Sequence, residues 1–179
     1  KNIFDIFLTI DERGIKFLKK EDYNVKMINT PKININWLLP LNITKLFFLI
    51  IKNIIFINKN KITILISTGG YTSLPICAAA KILGLKIFLY EPNMVLGRAN
   101  SFFLRFSEKI FCYSEKIKKY PEKMLNKIVL IDPLLRKEFY LKGPSENLPI
   151  EKKINLLIIG GSQGAKIFDT LIRDTVVYL

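Results

Sequence analysis

KITILISTGGYTSLPICAAAKILGLKIFLYEPN, residues 61–93, decides the fold. An apolar run ends at Ser67 and the chain turns on Thr68-Gly69-Gly70. A segment opened by Ser73 and Pro75 follows and is stopped by Gly84. A second apolar run then ends in Glu91-Pro92-Asn93. Pro75 is tolerated in a first helical turn and Ser73 suits its cap. The order is strand, turn, helix, strand. Both apolar runs are nearly continuous in Ile, Leu and Phe, the pattern of strands covered on two faces in a parallel sheet.

The same pattern extends outward. Strand-like runs occupy residues 4–9, 24–28, 109–113, 127–131 and 155–159, besides those at 62–67 and 86–90. Helical patterns lie at 12–20, 42–57, 73–83, 98–106 and 165–178. Alternating strands and helices predict a doubly wound parallel α/β sheet. Residues 143–153 hold Gly143, Pro144, Ser145, Asn147 and Pro149 and read as a linker. A new strand and a new Gly-rich turn follow, so residues 1–136 and 137–179 are expected to belong to two α/β domains. The chain opens on Lys1 and stops at Leu179 inside an apolar run, and a fragment is expected.

Composition narrows the chemistry. Half of the 179 residues are hydrophobic, which excludes a disordered tail. There is no histidine, which removes His-based nucleophile pairs, His-ligated metals and the usual general base. Cys77 and Cys112 have no partner at metal-ligand spacing and read as buried reduced thiols. The net charge is +13, from 28 basic and 15 acidic residues. A bias toward Lys, Asn, Ile and Phe accounts for it as well as an anionic partner does. The basic residues are dispersed and no aromatic-basic platform occurs, so no nucleic acid is expected as partner.

Residues 38–57 are the most apolar stretch and about the ~20 residues that a spanning helix needs. On a helical wheel Asn42, Lys45, Lys52, Asn53, Lys59 and Asn60 form one stripe. The lysines argue against a span. Phe47, Phe48, Ile51 and Ile55, edged by Lys45 and Lys52, suit a helix lying on an anionic membrane. A core helix with one solvated edge fits the same residues.

Two Gly-rich turns follow strands. Gly69-Gly70-Tyr71-Thr72-Ser73 is one, and Gly160-Gly161-Ser162-Gln163-Gly164-Ala165 is the other. Glycines at a strand–helix junction let backbone approach a ligand, and the helix start favours phosphate. Neither is a P-loop or a dinucleotide fingerprint. Glu91-Pro92-Asn93 falls at the carboxyl edge of the sheet, where open α/β folds bind ligands. There Glu91 could accept a proton or a sugar hydroxyl. Arg136 offers a planar fork for a diphosphate.

Together these motifs, in this order and spacing, resemble the MurG family of peptidoglycan N-acetylglucosaminyltransferases, which have the GT-B fold. The resemblance implies a GT-B-like amino-terminal domain lacking its first strand, followed by the start of a second α/β domain. It implies inverting transfer of N-acetylglucosamine from UDP-N-acetylglucosamine to an undecaprenyl-diphosphate-linked muramoyl acceptor. Neither metal nor cofactor is implied, and the place is the cytoplasmic face of the inner membrane, peripherally bound. By motif position, Asn93 would contact the donor sugar, and Arg136, Gly160, Gly161, Ser162, Gln163 and Gly164 the donor nucleotide. Gly69, Gly70, Tyr71 and Ser73 would face the acceptor diphosphate, and Glu91 is the visible candidate base. The family's His-Glu-Gln-Asn loop is Tyr90-Glu91-Pro92-Asn93 here. These 179 residues alone are expected to lack transferase activity. The rivals are a related glycosyltransferase acting on diacylglycerol and a non-catalytic basic module at a membrane surface.

Overall fold

The computed structural model describes residues 5–16, 18, 24–31 and 39–134. The strand expected at 155–159, the helix expected at 165–178 and the linker at 143–153 lie outside the described residues, as do all of residues 135–179.

Six of the expected strands form: β1 (Phe7–Ile10), β2 (Asn24–Met27), β3 (Ile64–Ser67), β4 (Lys86–Glu91), β5 (Lys109–Cys112) and β6 (Ile128–Leu130). All pairings are parallel. β1 pairs with β2, and a second sheet runs β3-β4-β5-β6. Among the described residues four helices connect them: α1 (Glu12–Ile15), α2 (Leu39–Lys59), α3 (Leu74–Ile82) and α4 (Arg98–Phe103). A 3-10 turn at Leu104–Phe106 prolongs α4, and another at Glu122–Lys127 joins β5 to β6. The expected parallel α/β architecture is therefore present, divided among the described residues into two sheets.

The register sorts each strand's two faces. Leu65 sits beside Ile87, Leu89 beside Ile110 and Ile110 beside Ile128 on one face, where Ile87, Leu89, Ile110 and Cys112 lose essentially all contact with water. Ile76, Cys77, Ala79 and Ala80 of α3 and Phe103 at the end of α4 belong to the same core. Small Ala and Cys side chains let α3 lie close to the sheet. Each large aliphatic buried there contributes about 1.5–3 kcal/mol. Among the described residues the other face is less covered. Phe88 stacks on Phe111 and Tyr90 meets Tyr113 edge-on, all half-buried, while Ile64 and Ile66 stand exposed. Continuous apolar runs thus overstate the cover these residues receive.

Two helix ends show how the chain is turned back to the sheet. After α3, Gly84 sits at φ +69°; its N–H bonds the Lys81 carbonyl, and the Leu85 N–H bonds that of Ala80. This is a Schellman stop, as Gly84 predicted. After α2 the same pair of bonds forms, Lys61 to Asn58 and Ile62 to Ile57, with Lys61 at φ +51° in the glycine position.

Helix α2 corrects the wheel. Lys45, Lys52 and Lys59 are exposed, but Asn53 is not on their solvated edge. It is 1% exposed; its Oδ1 accepts from Lys26 Nζ of β2 at 3.0 Å and its Nδ2 donates to the Leu49 carbonyl at 2.9 Å. Lys26 also sits 3.9 Å from the Phe56 ring, and Phe7 of β1 meets Phe56 edge-on. Burial, with help from nearby Lys52, pushes the Lys26 ammonium below its ordinary value. A polar stripe on a wheel cannot tell a side chain that seeks water from one that seeks a partner strand.

Candidate functional site

Parallel strands end together at one edge of their sheet, so the segments leaving β3 and β4 are neighbours by construction. After β3, Ser67 is buried and its Oγ accepts from the Gly69 N–H at 3.2 Å. Gly69 and Gly70 follow at φ +79° and +80°, conformations that side chains with a Cβ rarely adopt. Tyr71–Ser73 then forms a 3-10 turn leading into α3. The expected Ser73 cap does not form: its Oγ donates back to the Gly70 carbonyl at 2.8 Å. The Ser73 N–H also bonds Gly70, the Leu74 N–H bonds the Tyr71 carbonyl, and Pro75 has none. The α3 start therefore spends several donors on its own turn. Thr30 beyond β2 donates its hydroxyl to the Thr72 carbonyl at 3.3 Å, tying the turn to the other pair of strands.

After β4 the loop is organised by Glu91, which is 3% exposed. Its Oε1 accepts from the Asn93 backbone N–H at 3.2 Å and from Asn93 Nδ2 at 2.8 Å. Its Oε2 accepts from the Gly97 N–H at 2.8 Å and from Asn100 Nδ2 at 3.0 Å. A carboxylate can take several N–H donors in this way. Pro92, without an N–H, leaves the Asn93 N–H to make the inward bond. Asn93 itself is exposed, anchored by one amide hydrogen bond and by its backbone. Farther along, Met94–Leu96 is pinned by bonds between Leu96 N–H and the Lys118 carbonyl and between Lys118 N–H and that of Met94.

Asn100, in α4, joins the two segments. Nδ2 donates to the Tyr90 carbonyl at 3.1 Å as well as to Glu91. Its amide also fills the space behind Gly69, where a Cβ would stand 3.0 Å from Oδ1 and Nδ2. Gly97 is constrained likewise, since a Cβ there would meet Glu91 Oε2 at 3.1 Å. Neither Asn100 nor Gly97 carries a motif in the sequence. An Asn between Ala99 and the Phe102-Phe103 pair of α4 was the available signal.

Neighbouring groups feel this centre. Burial, and then the Glu91 charge, pushes the Cys112 thiol up to about 11. Burial raises Cys77 against the opposing pull of Ser67 and Ser73. Both thiols are buried and unpaired, as expected. The Tyr90 and Tyr113 hydroxyls hydrogen-bond to each other, and Tyr113 accepts from the Leu134 N–H at 3.0 Å. That mutual bond, then burial, then the Tyr113 charge raise Tyr90 to about 12.

The structure thus brings together Gly69, Gly70, Tyr71 and Ser73 on one segment and Glu91 and Asn93 on the next. Arg136, Gly160, Gly161, Ser162, Gln163 and Gly164 lie outside the described residues. Lys45, Phe47, Phe48, Ile51, Lys52 and Ile55 are all exposed on α2. By length and composition α2 is long and apolar enough to cross a membrane.

Residues 4–112 match the Glycosyltransferase family 28 N-terminal domain. The chain is 55% identical over 177 residues to the UDP-N-acetylglucosamine–N-acetylmuramyl-(pentapeptide) pyrophosphoryl-undecaprenol N-acetylglucosamine transferase of Pelagibacter ubique, covering 98% of this chain and 49% of that protein. The enzyme of the same name from Rickettsia canadensis is 31% identical, over 100% of this chain and 50% of its own length. The chain spans about half the length of these curated relatives. A crystal structure of Acinetobacter baumannii MurG superposes with a TM-score of 0.67 at 20% identity, covering 96% of this chain and 48% of that one. That likeness shows a shared fold.

Proposed function

The chain belongs to glycosyltransferase family 28, and from that premise we propose that it is the acceptor-side portion of a peptidoglycan N-acetylglucosaminyltransferase. The observation that carries the reading is the 55% identity to the Pelagibacter transferase across 98% of the chain. The reaction would move N-acetylglucosamine from its UDP derivative to an undecaprenyl-diphosphate-linked muramoyl acceptor.

Inverting transfer needs a base for the attacking hydroxyl, positive dipoles for the departing diphosphate and shelter for the oxocarbenium-like centre. The Gly69-Gly70 turn, which admits close backbone approach, suits the acceptor diphosphate. Asn93 suits the donor sugar, because its amide is exposed yet fixed by Glu91. Arg136 and the Gly160–Gly164 turn would take the donor nucleotide and its leaving phosphates. A base at Glu91 would have to free an oxygen from four N–H donors. This bonding favours a holding role for the carboxylate.

Exposed Phe47, Phe48 and Ile55 with Lys45 and Lys52 support peripheral binding of α2 to the cytoplasmic face of an anionic membrane. The inward bonds of Asn53 and the Phe7–Phe56 contact support a helix lying on the domain over one leaving it to span.

The test uses the full-length protein. UDP-N-acetylglucosamine should bind, and Ser162→Ala and Arg136→Ala should each weaken binding roughly tenfold or more, as loss of a charge-assisted bond does. Unchanged affinity in both variants would remove these residues from the donor site. Transfer to diacylglycerol in place of the diphosphate lipid would favour the rival lipid glycosyltransferase.

A further inference from the structure

We infer that Asn100 is a positioning residue that makes the Gly69-Gly70 turn and the Glu91–Asn93 loop one mechanical unit, so that a ligand seated at either segment is felt at the other. The inference rests on the proposed function only for the identity of the two ligands.

Asn100 is 2% exposed and has its amide donors committed, to the Tyr90 carbonyl and to Glu91 Oε2. Its Oδ1 is buried without a hydrogen-bond partner, the one such side-chain N or O atom found among the described residues. Buried acceptors are rarely left so, because the lost hydration is not repaid. The oxygen is held against Gly69, where only a Cα hydrogen fits: a Cβ would come within 3.0 Å of both Oδ1 and Nδ2.

The alternatives explain why this side chain stands here. Leu would leave the Tyr90 carbonyl and Glu91 Oε2 short of a donor. Asp would set a second carboxylate against Glu91. Asn supplies both donors, and the cost is an idle oxygen. A displacement of Gly69 toward or away from its ligand must move the Asn100 amide. That amide shares Glu91 Oε2 with Gly97, and the same carboxylate holds Asn93 through Oε1. The path from turn to loop therefore consists of one packed contact and two hydrogen-bonded side chains, with no intervening solvent-exposed link.

The experiment is a coupling measurement on the full-length protein. The affinity for UDP-N-acetylglucosamine is measured with and without a diphosphate lipid acceptor analogue lacking the attacking hydroxyl. The unsubstituted protein is expected to bind the nucleotide sugar about fivefold or more tighter with the analogue present, within the usual range of coupling between sites. In Asn100→Ala the ratio should fall to about one while each ligand alone binds within about threefold of its original affinity. Ser101→Ala, an exposed neighbour on α4, should keep the full ratio. If Asn100→Ala does not fold, Asn100→Ser, which retains a hydroxyl donor toward Glu91, should give an intermediate ratio. An undiminished ratio in either Asn100 variant, or no ratio above about one in the unsubstituted protein although both ligands bind, overturns the inference. If neither ligand binds, the proposed function fails, and amide hydrogen exchange then judges the positioning role. Asn100 substitution should speed exchange at residues 69–72 and at Asn93 and Gly97 together; faster exchange confined to Gly97 would overturn it.

Discussion

Helix α2 and the β4–β5 pair are both mostly apolar and meet opposite fates. Ile87, Leu89 and Ile110 are sealed from water, whereas Phe47, Phe48 and Ile55 keep about 60% of their surface exposed. Apolarity states that a segment gains by leaving water. It does not state whether protein or lipid replaces the water. On α2 the inward face is recognised by what it bonds, Asn53 to Lys26 and Phe56 to Phe7. The outward face is recognised by the lysines beside it.

The sharpest way to break this contrast is to truncate both kinds of residue. Leu89→Ala or Ile110→Ala should cost about 2–5 kcal/mol of unfolding free energy in a denaturant titration. Phe48→Ala should stay within about 0.5 kcal/mol by the same assay. Comparable losses would mean that α2's outer face is packed in the working protein.

A second pair sets the turn from β3 into α3 against the turn from α3 into β4. Gly69 and Gly84 share a positive φ, but only Gly69 has Asn100 where a Cβ would go; a Cβ on Gly84 would meet nothing within 4 Å. Gly84→Ala should cost about 1 kcal/mol from backbone conformation alone, and Gly69→Ala about 2–3 kcal/mol, measured by thermal or chemical unfolding. Equal losses would show that the Asn100 contact yields without strain.

The lysines carry a smaller effect. Lys45→Glu with Lys52→Glu should weaken sedimentation with phosphatidylserine-containing vesicles by at least about 1 kcal/mol per site, and added salt should narrow the gap. Vesicle binding that ignores both substitutions would return α2 to the role of a helix awaiting a protein cover.

A pH-dependent effect concerns the sealed core. Cys112 is held up to about 11 against an ordinary 9.0, so the folded state keeps its proton while the unfolded state loses it. Stability from this group is complete below about pH 9 and should decline from there through about pH 11. In Cys112→Ala, judged relative to its own stability at pH 8, this part of the decline should be absent.

Sequence made the architecture legible because parallel strands announce themselves. The runs around Leu65, Leu89 and Ile110 are short, apolar and bounded by Gly, Pro or polar turns, and each pairs as expected. Gly69-Gly70 and Gly84 were readable because positive φ leaves a compositional trace. Asn53 and Asn100 were not, since a buried amide is explained only by partners 27 and 10 residues away, Lys26 and the Tyr90 carbonyl. Ser73 had the right type for a cap, but the 3-10 turn before α3 redirected its hydroxyl to Gly70. Glu91 looked like an available acid or base because its four N–H donors are assembled only when the loop and α4 fold around it.

The most direct test of the account is sugar transfer by the full-length protein in anionic vesicles that carry the undecaprenyl-diphosphate acceptor, supplied with UDP-N-acetylglucosamine. A disaccharide on the lipid diphosphate is expected, formed more slowly when Phe47 and Phe48 are both changed to Ser. Absence of that product from a folded protein that binds the vesicles would contradict it.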